Sequence, residues 1–190
     1  MTELVFRPDP DVWQVVPGMP EAADWYGNQV QSAPAEARDA VATASALALR
    51  ARVDSGLVAV LLLAEPVADV YAMLGIAALD DAPVPLTAAG AVTVAERLVP
   101  SPWSADAVPV DLGAVSGWRV TLLDPEAAGG DEQVAIPRTV STVYVVGVHG
   151  RLVVAALTSL PPLAAAVVQV HADNVVATFD VEEGPARHGF

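Results

Sequence analysis

Three stretches of the chain predict an α+β fold in which a mostly antiparallel, twisted sheet carries packed helices, close to an α/β/α sandwich. Residues 57–64 (LVAVLLLA) are continuously apolar, the signature of a strand covered on both faces. Thr139–Val148 and the segment starting at Arg151 are β-rich and separated only by His149-Gly150, a link that suits a tight primed-turn hairpin. Ala37, Val41, Ala44, Ala48 and Ala51 recur at three- and four-residue spacing, which gives a helix a narrow stripe of small side chains able to lie close on a sheet.

In chain order, Leu4, Val5 and Phe6 form a short apolar run ended by Arg7-Pro8-Asp9-Pro10, which suits a brief strand. Trp13, Val15 and Val16 follow at near-alternate spacing until Pro17-Gly18 breaks the run, and residues 19–31 show no clear period. The helix of small residues is expected to begin at Ser32, whose hydroxyl can cap it, with Pro34 in its first turn. Glu36 and Asp39 then sit near its positive end, Arg50 and Arg52 near its negative end, and Gly56 is placed to stop it.

Beyond residues 57–64, Glu65, Pro66 and Asp69 make a turn and Val70–Leu79 reads as a second strand, closed by Asp80-Asp81 with Pro83 and Pro85. Residues 87–99 fit two periods, since Ala88, Val92, Ala95 and Val99 recur as in a helix while Val-Thr-Val suits a strand; a helix capped by Thr87 is expected. Residues 108–112 and 118–123, joined through Gly113 and Gly117, read as an antiparallel pair, and residues 124–132 (DPEAAGGDE) as a loop. After Pro161-Pro162, Leu163, Val167, Val170, Asn174 and Ala177, with Val168, Val175 and Phe179, suggest a final amphipathic helix to about Asp180. One domain is expected over residues 1–181, with 182–190 as a frayed tail.

Composition excludes more chemistry than it suggests. The 190 residues are 54% hydrophobic and 17% charged, against roughly 45–50% and about 25% in ordinary soluble domains. Nine Arg and no Lys face 23 Asp plus Glu, for a net charge of −14. Such a chain is poorly suited to nucleic acid or anionic membranes, which both call for a positive surface. Absence of lysine removes Schiff-base chemistry and the P-loop lysine; absence of cysteine removes disulfides, thiolate metal sites and a thiol nucleophile. The Ala and Val excess, with Arg in place of Lys, resembles the codon bias of a GC-rich genome. The N-terminal residues carry Glu3, Asp9 and Asp11 where an export signal needs a basic start, so a soluble, cytoplasmic protein is expected. The uncharged stretch between Arg151 and Asp173 is long enough to raise a membrane span, yet Pro161-Pro162 in its middle makes it a strand, a turn and a helix.

Histidine, the usual acid–base and metal-binding residue, occurs three times. His149 falls at the hairpin tip as a solvated turn residue, His171 and Asp173 are two apart and so face different ways on a helix, and His188 falls in the tail. No GxSxG elbow or glycine-rich phosphate cradle is present, and Ser116 reads as a Ser-Gly turn. Carboxylate pairs such as Asp80-Asp81 or Asp124 with Glu126 fall in turns, and residues 124–132 lack the ligand spacing of an EF-hand. Catalytic residues, metal ligands and cofactors are therefore not assigned. Trp13, Trp25, Trp103 and Trp118 stand beside acids, prolines or glycines. They either cap the ends of the sheet, or Trp25, Tyr26 and Trp103 belong to a partner interface, where such residues concentrate.

The Phe6, Pro8 and Trp13 opening, the hairpin turning at His149-Gly150 and the closing VVATFDV at Val175 to Val181 resemble the small Mog1/PsbP-like domains widespread in actinobacterial proteins. The helix expected between Trp13 and residue 57 departs from that pattern. The resemblance implies a twisted antiparallel sheet with helices on both faces and a binding or accessory role without a shared catalytic motif. The expected function is accordingly non-enzymatic protein binding, as an accessory or structural subunit of a larger assembly or secretion system, with a homodimer or a hetero-complex compatible with the apolar surplus. The negative charge favours a partner with a basic surface. A small-ligand-binding domain, or a hydrolase with its site between sheet and helix, is the alternative.

Overall fold

The computed structural model describes residues 2–124 and 139–183. The elements run β1 (Thr2–Val5), β2 (Gln14–Val15), α1 (Ala22–Ser32), α2 (Arg38–Asp54), β3 (Ala59–Glu65), β4 (Val70–Leu79) and α3 (Ala88–Leu98). They continue as β5 (Asp106–Leu112), β6 (Val115–Asp124), β7 (Thr139–Val148), β8 (Arg151–Leu160), α4 (Pro162–Val176) and β9 (Asp180–Glu183). Seven strands make an antiparallel sheet in the order β2-β3-β4-β8-β7-β6-β5, and β1 pairs with β9 in a separate ladder. This is the α+β arrangement the sequence predicts.

Strand alternation sends neighbouring residues to opposite faces, and both faces are covered. Tyr144 and Val146 of β7, Val153 and Ala155 of β8, and Leu74 and Ile76 of β4 pack against Ala165, Val168, Ala172 and Val175 of α4. Val143 and Val145, with Val120, Leu122, Leu152 and Val154, turn to the other face and pack against Ala91 and Ala95 of α3. On that same face, Val60 and Leu62 of β3 lie under Ala48 of α2. Double coverage is why β3 reads as an unbroken apolar run, since Ala59, Val60, Leu61, Leu62 and Leu63 are all buried.

Two backbone positions hold the sheet together in ways their sequence only partly announces. His149 and Gly150 both adopt left-handed angles, φ +50° and +81°, so the β7–β8 hairpin closes through the primed turn that its residues suggest. Gly117, expected in a connection, lies inside β6 at φ +152°, and the turn before it is made by Gly113 and Ala114. A Cβ on Gly117 would sit 2.4 Å from the Val145 carbonyl oxygen and 2.7 Å from Val146 Cα, so only glycine lets β6 lie this close to β7.

Several expectations are corrected. Residues 22–32, which lack a clear period, form α1; it has no buried residue and lies on α2, so it needs no continuous apolar stripe. Ser32 ends α1 rather than capping α2, its hydroxyl donating to the carbonyls of Asn28 and Gln29 at 2.8 and 3.2 Å. Pro34 disfavours a helical residue before it, so Ala33 is extended and α2 begins only at Arg38 after a short 3-10 turn. Thr87 does cap α3, accepting from the Gly90 amide at 3.2 Å. The last helix stops at Val176, not near Asp180, because Phe179 turns inward to meet Phe6 edge-on at 6.3 Å and the chain then pairs with β1. Glu182 and Glu183, expected to open a frayed tail, belong to that ladder. The residues beyond Asp124 expected to form an acidic loop, and the end of the chain including His188, lie outside the described residues.

Candidate functional site

Three places gather side chains that no packing rule requires. The first is polar. Asp173, in the last turns of α4, accepts from Tyr144 Oη at 2.7 Å and from Arg119 of β6 at 2.8 Å. Burial and the bond to Asp173 push the Tyr144 hydroxyl far above its ordinary range, so it stays protonated and acts as a donor. A protonated tyrosine and a doubly engaged carboxylate are positioned to pin a helix to a sheet and offer neither a base nor a nucleophile. His171 stands apart from Asp173, as their spacing requires, and accepts through its backbone carbonyl from the Trp13 indole at 3.4 Å. Among the described residues no group of three or more His, Asp or Glu is arranged to hold a metal ion.

The second place is the outer side of α4. The stripe singled out in the sequence, Leu163, Val167 and Val170, faces away from the sheet and is 81%, 56% and 57% exposed, while Ala165, Val168, Ala172 and Val175 face inward. The helix is thus apolar on both sides, a pattern that normally belongs to a helix buried all round. Beside it runs a groove of about 850 Å³, walled by Leu163 and Val167 on one side and by Val12, Leu63, Val70 and Leu160 on the other. Asp11, Glu65 and Asp69 rim it, all exposed, and among the described residues His171 is the only basic-type side chain lining it. Val67, on the turn between β3 and β4 beside that rim, is almost fully exposed.

The third place is a trench on the opposite face of the sheet. The helix α2 sits over β3 and β4, α3 sits over β5, β6 and β7 and shares a cluster with Leu152 and Val154 of β8, and the trench opens along β4 and β8 between the two helices. The cross-strand pair Gly75 and Ala156 and the pair Ala77 and Val154 form the floor, mostly of side chains too small to fill the gap. The result is a cavity of about 770 Å³, lined by apolar groups apart from Arg97 and Thr158.

The three aromatic residues expected at a partner interface are not brought together. Trp25 on α1 is half-buried against the cluster of Val16, Ala48, Val60 and Leu62, near the β2 edge of the sheet, and Tyr26 beside it is half-buried. Trp103 is half-buried in the segment leading to β5, at the far edge, where its amide donates to Ser101 Oγ at 3.2 Å. Trp13 is core, and Trp118 packs partly against the α3 side. His149, read as a solvated turn residue, is exposed but engaged, its Nε2 lying 2.8 Å from Asp180 Oδ1. No helix among the described residues is long and apolar enough to cross a membrane.

Sequence reasoning found the α4 stripe but not its direction. Two apolar stripes lie on one helix, and only the small size of Ala165 and Ala172 against Leu163 and Val167 hints that the tighter-packing side faces the sheet. Comparison with protein-family models, curated proteins and solved structures gives no significant match to this chain.

Proposed function

We propose that this chain is a non-enzymatic protein-binding module whose α4 face and adjoining groove receive an amphipathic helix with basic flanks. The observation that carries the reading is the outward apolar stripe of Leu163, Val167 and Val170, continuous with a groove of helix-accepting size. Soluble proteins rarely leave such a patch uncovered, and an apolar helix face against a hydrophobic groove is a recurrent recognition mode. Charge chooses the occupant. The Asp11, Glu65 and Asp69 rim favours Lys or Arg beside the incoming apolar residues, whereas a second copy would bring the same acids and a further −14 charge to the contact. In this reading the partner surface is α4 rather than Trp25, Tyr26 and Trp103, which are half-buried. The reading keeps an accessory or structural subunit of a larger assembly, and kinship with Mog1/PsbP-like domains, as its wider expectation.

A designed helical peptide with leucines at i, i+3, i+4 and i+7 and lysines on its flanks tests the reading in a two-dimensional NMR titration of the whole chain. Saturable shifts at Glu65, Asp69, Leu163, Val167 and Val170, weakened by Val167→Glu, are expected. Absence of saturable binding, or shifts confined to another face, overturns the assignment.

A further inference from the structure

We propose that the trench between α2 and α3 is a second, independent site, which takes a single-chain amphiphile with one anionic head. This inference goes beyond the protein-binding reading and does not rest on it, because the trench and the α4 groove lie on opposite faces of the sheet.

The trench is built rather than left over. Its floor is made of small side chains because Gly75 and Ala156 are cross-strand neighbours on β4 and β8, with Ala77 next along, and Leu57 leans over Gly75. One wall is Leu57, fixed in place by Arg52, whose guanidinium donates to the Leu57 carbonyl at 2.9 Å. The other wall is the Pro83 to Pro85 turn with Val94, Leu98 and Val99 of α3, and two prolines make that turn stiff. A cavity of about 770 Å³ falls inside the roughly 300–1,000 Å³ range of small-molecule sites, which are mostly apolar with a few placed polar groups. Water in such a slot finds few partners, so an apolar tail is the natural filling.

The polar groups name the head. Arg97, in the last turn of α3, lines the trench, is exposed, and has no ion-pair partner among the described residues. It is a guanidinium offered at an apolar slot by a protein of net charge −14. Thr158, also in the lining, accepts from the Met73 amide at 3.1 Å, which leaves its hydroxyl proton free to donate. Both groups donate and neither brings a negative charge, so they match a carboxylate or phosphate head on an alkyl tail and reject a cationic one.

Calorimetric titration of the full chain with dodecanoate, dodecyl phosphate and dodecanol, each below its aggregation limit, tests the inference. Saturable one-to-one binding of an anionic probe is expected, with dodecanol weaker; whichever of the two anions binds tighter identifies the head. Arg97→Gln should weaken the anionic probes roughly tenfold, the size of one hydrogen bond to a charged group, and leave dodecanol unchanged, while Arg97→Lys retains most of the affinity. Ala156→Phe fills the floor and should abolish binding of all three, with Ala77→Phe as the second variant if the first does not fold. Amide shifts on binding should concentrate at Gly75, Ala77 and Ala156. Failure of every probe to bind saturably, binding that survives both filling variants, or shifts centred on Leu163 and Val167 overturns the proposal.

Discussion

Tyr144 Oη donates to Asp173 Oδ1 across 2.7 Å, tying the middle of β7 to the last turns of α4. Arg119 completes the tie from β6 by bonding the other oxygen of the same carboxylate at 2.8 Å. The helix that carries the exposed apolar stripe is thereby fixed to the sheet by a polar clasp at its C-terminal end, in addition to its inward Ala165, Val168 and Val175.

Removing one partner should cost more than the bond itself, because the others stay in place without it. Tyr144→Phe is expected to lower stability by about 1–2 kcal/mol, and Asp173→Ala by about 2–3 kcal/mol because it leaves the guanidinium unmatched and the phenol with only its longer bond to the Gln169 carbonyl at 3.4 Å. Urea unfolding followed by far-ultraviolet circular dichroism measures both. Equal stability of the wild type and Asp173→Ala would contradict the clasp.

The same bond sets a pH dependence. The folded Tyr144 hydroxyl titrates above its unfolded value, first through burial and then through Asp173, so its contribution is fully present below the ordinary tyrosine range near 10.0 and is lost as pH rises beyond it. Melting temperature should fall more steeply above that pH in the wild type than in Tyr144→Phe. Parallel alkaline limbs would contradict this assignment.

Asp180 works in the opposite direction. The Val181 amide and then His149 hold its carboxyl below the usual carboxylate range. A lowered carboxylate contributes stability above its unfolded value and loses it as pH falls through the folded one, so Asp180→Asn should melt below the wild type at neutral pH and converge with it in acid. A gap that persists unchanged down to pH values below the carboxylate range would show that the contact carries no such linkage.

Gly117 is expected to tolerate no side chain. With the Val145 carbonyl 2.4 Å from where a Cβ would stand, Gly117→Ala must push β6 off β7 and should cost about 3 kcal/mol or more. Gly113→Ala, at a turn with open space around it, pays only the positive-φ strain of about 1 kcal/mol and serves as the control. Comparable losses in the two variants would place the constraint in backbone angle rather than in strand approach.

What the sequence makes legible follows from how strongly each signal is local. The hairpin at His149-Gly150 and the cap at Thr87 are decided by two to four neighbouring residues, and both stand as read. Residues 57–64 reveal a doubly covered strand because coverage on both sides erases alternation. The helix α1 escapes notice because it docks on another helix and buries no residue fully. The β9 strand escapes because its pairing partner, β1, lies at the other end of the chain. The α4 surface was half legible: its apolar spacing is plain, yet spacing alone does not say which of two apolar stripes meets the sheet. The trench depends on Gly75 meeting Ala156 across strands far apart in sequence, a juxtaposition no window of residues displays.

Val167→Glu is the variant on which the protein-binding reading turns. At 56% exposure the substitution should change stability by no more than about 0.5 kcal/mol. The deciding measurement is quantitative mass spectrometry of what co-purifies from the native host with the wild type and with Val167→Glu, each carrying a photo-crosslinker at Leu163. The expected result is one stoichiometric protein, crosslinked through an amphipathic helix with Lys or Arg flanks and lost from the Val167→Glu sample. A partner retained equally by both forms, a crosslink to an acidic or non-helical segment, or a wild type that emerges alone would contradict the assignment of α4 as the docking face.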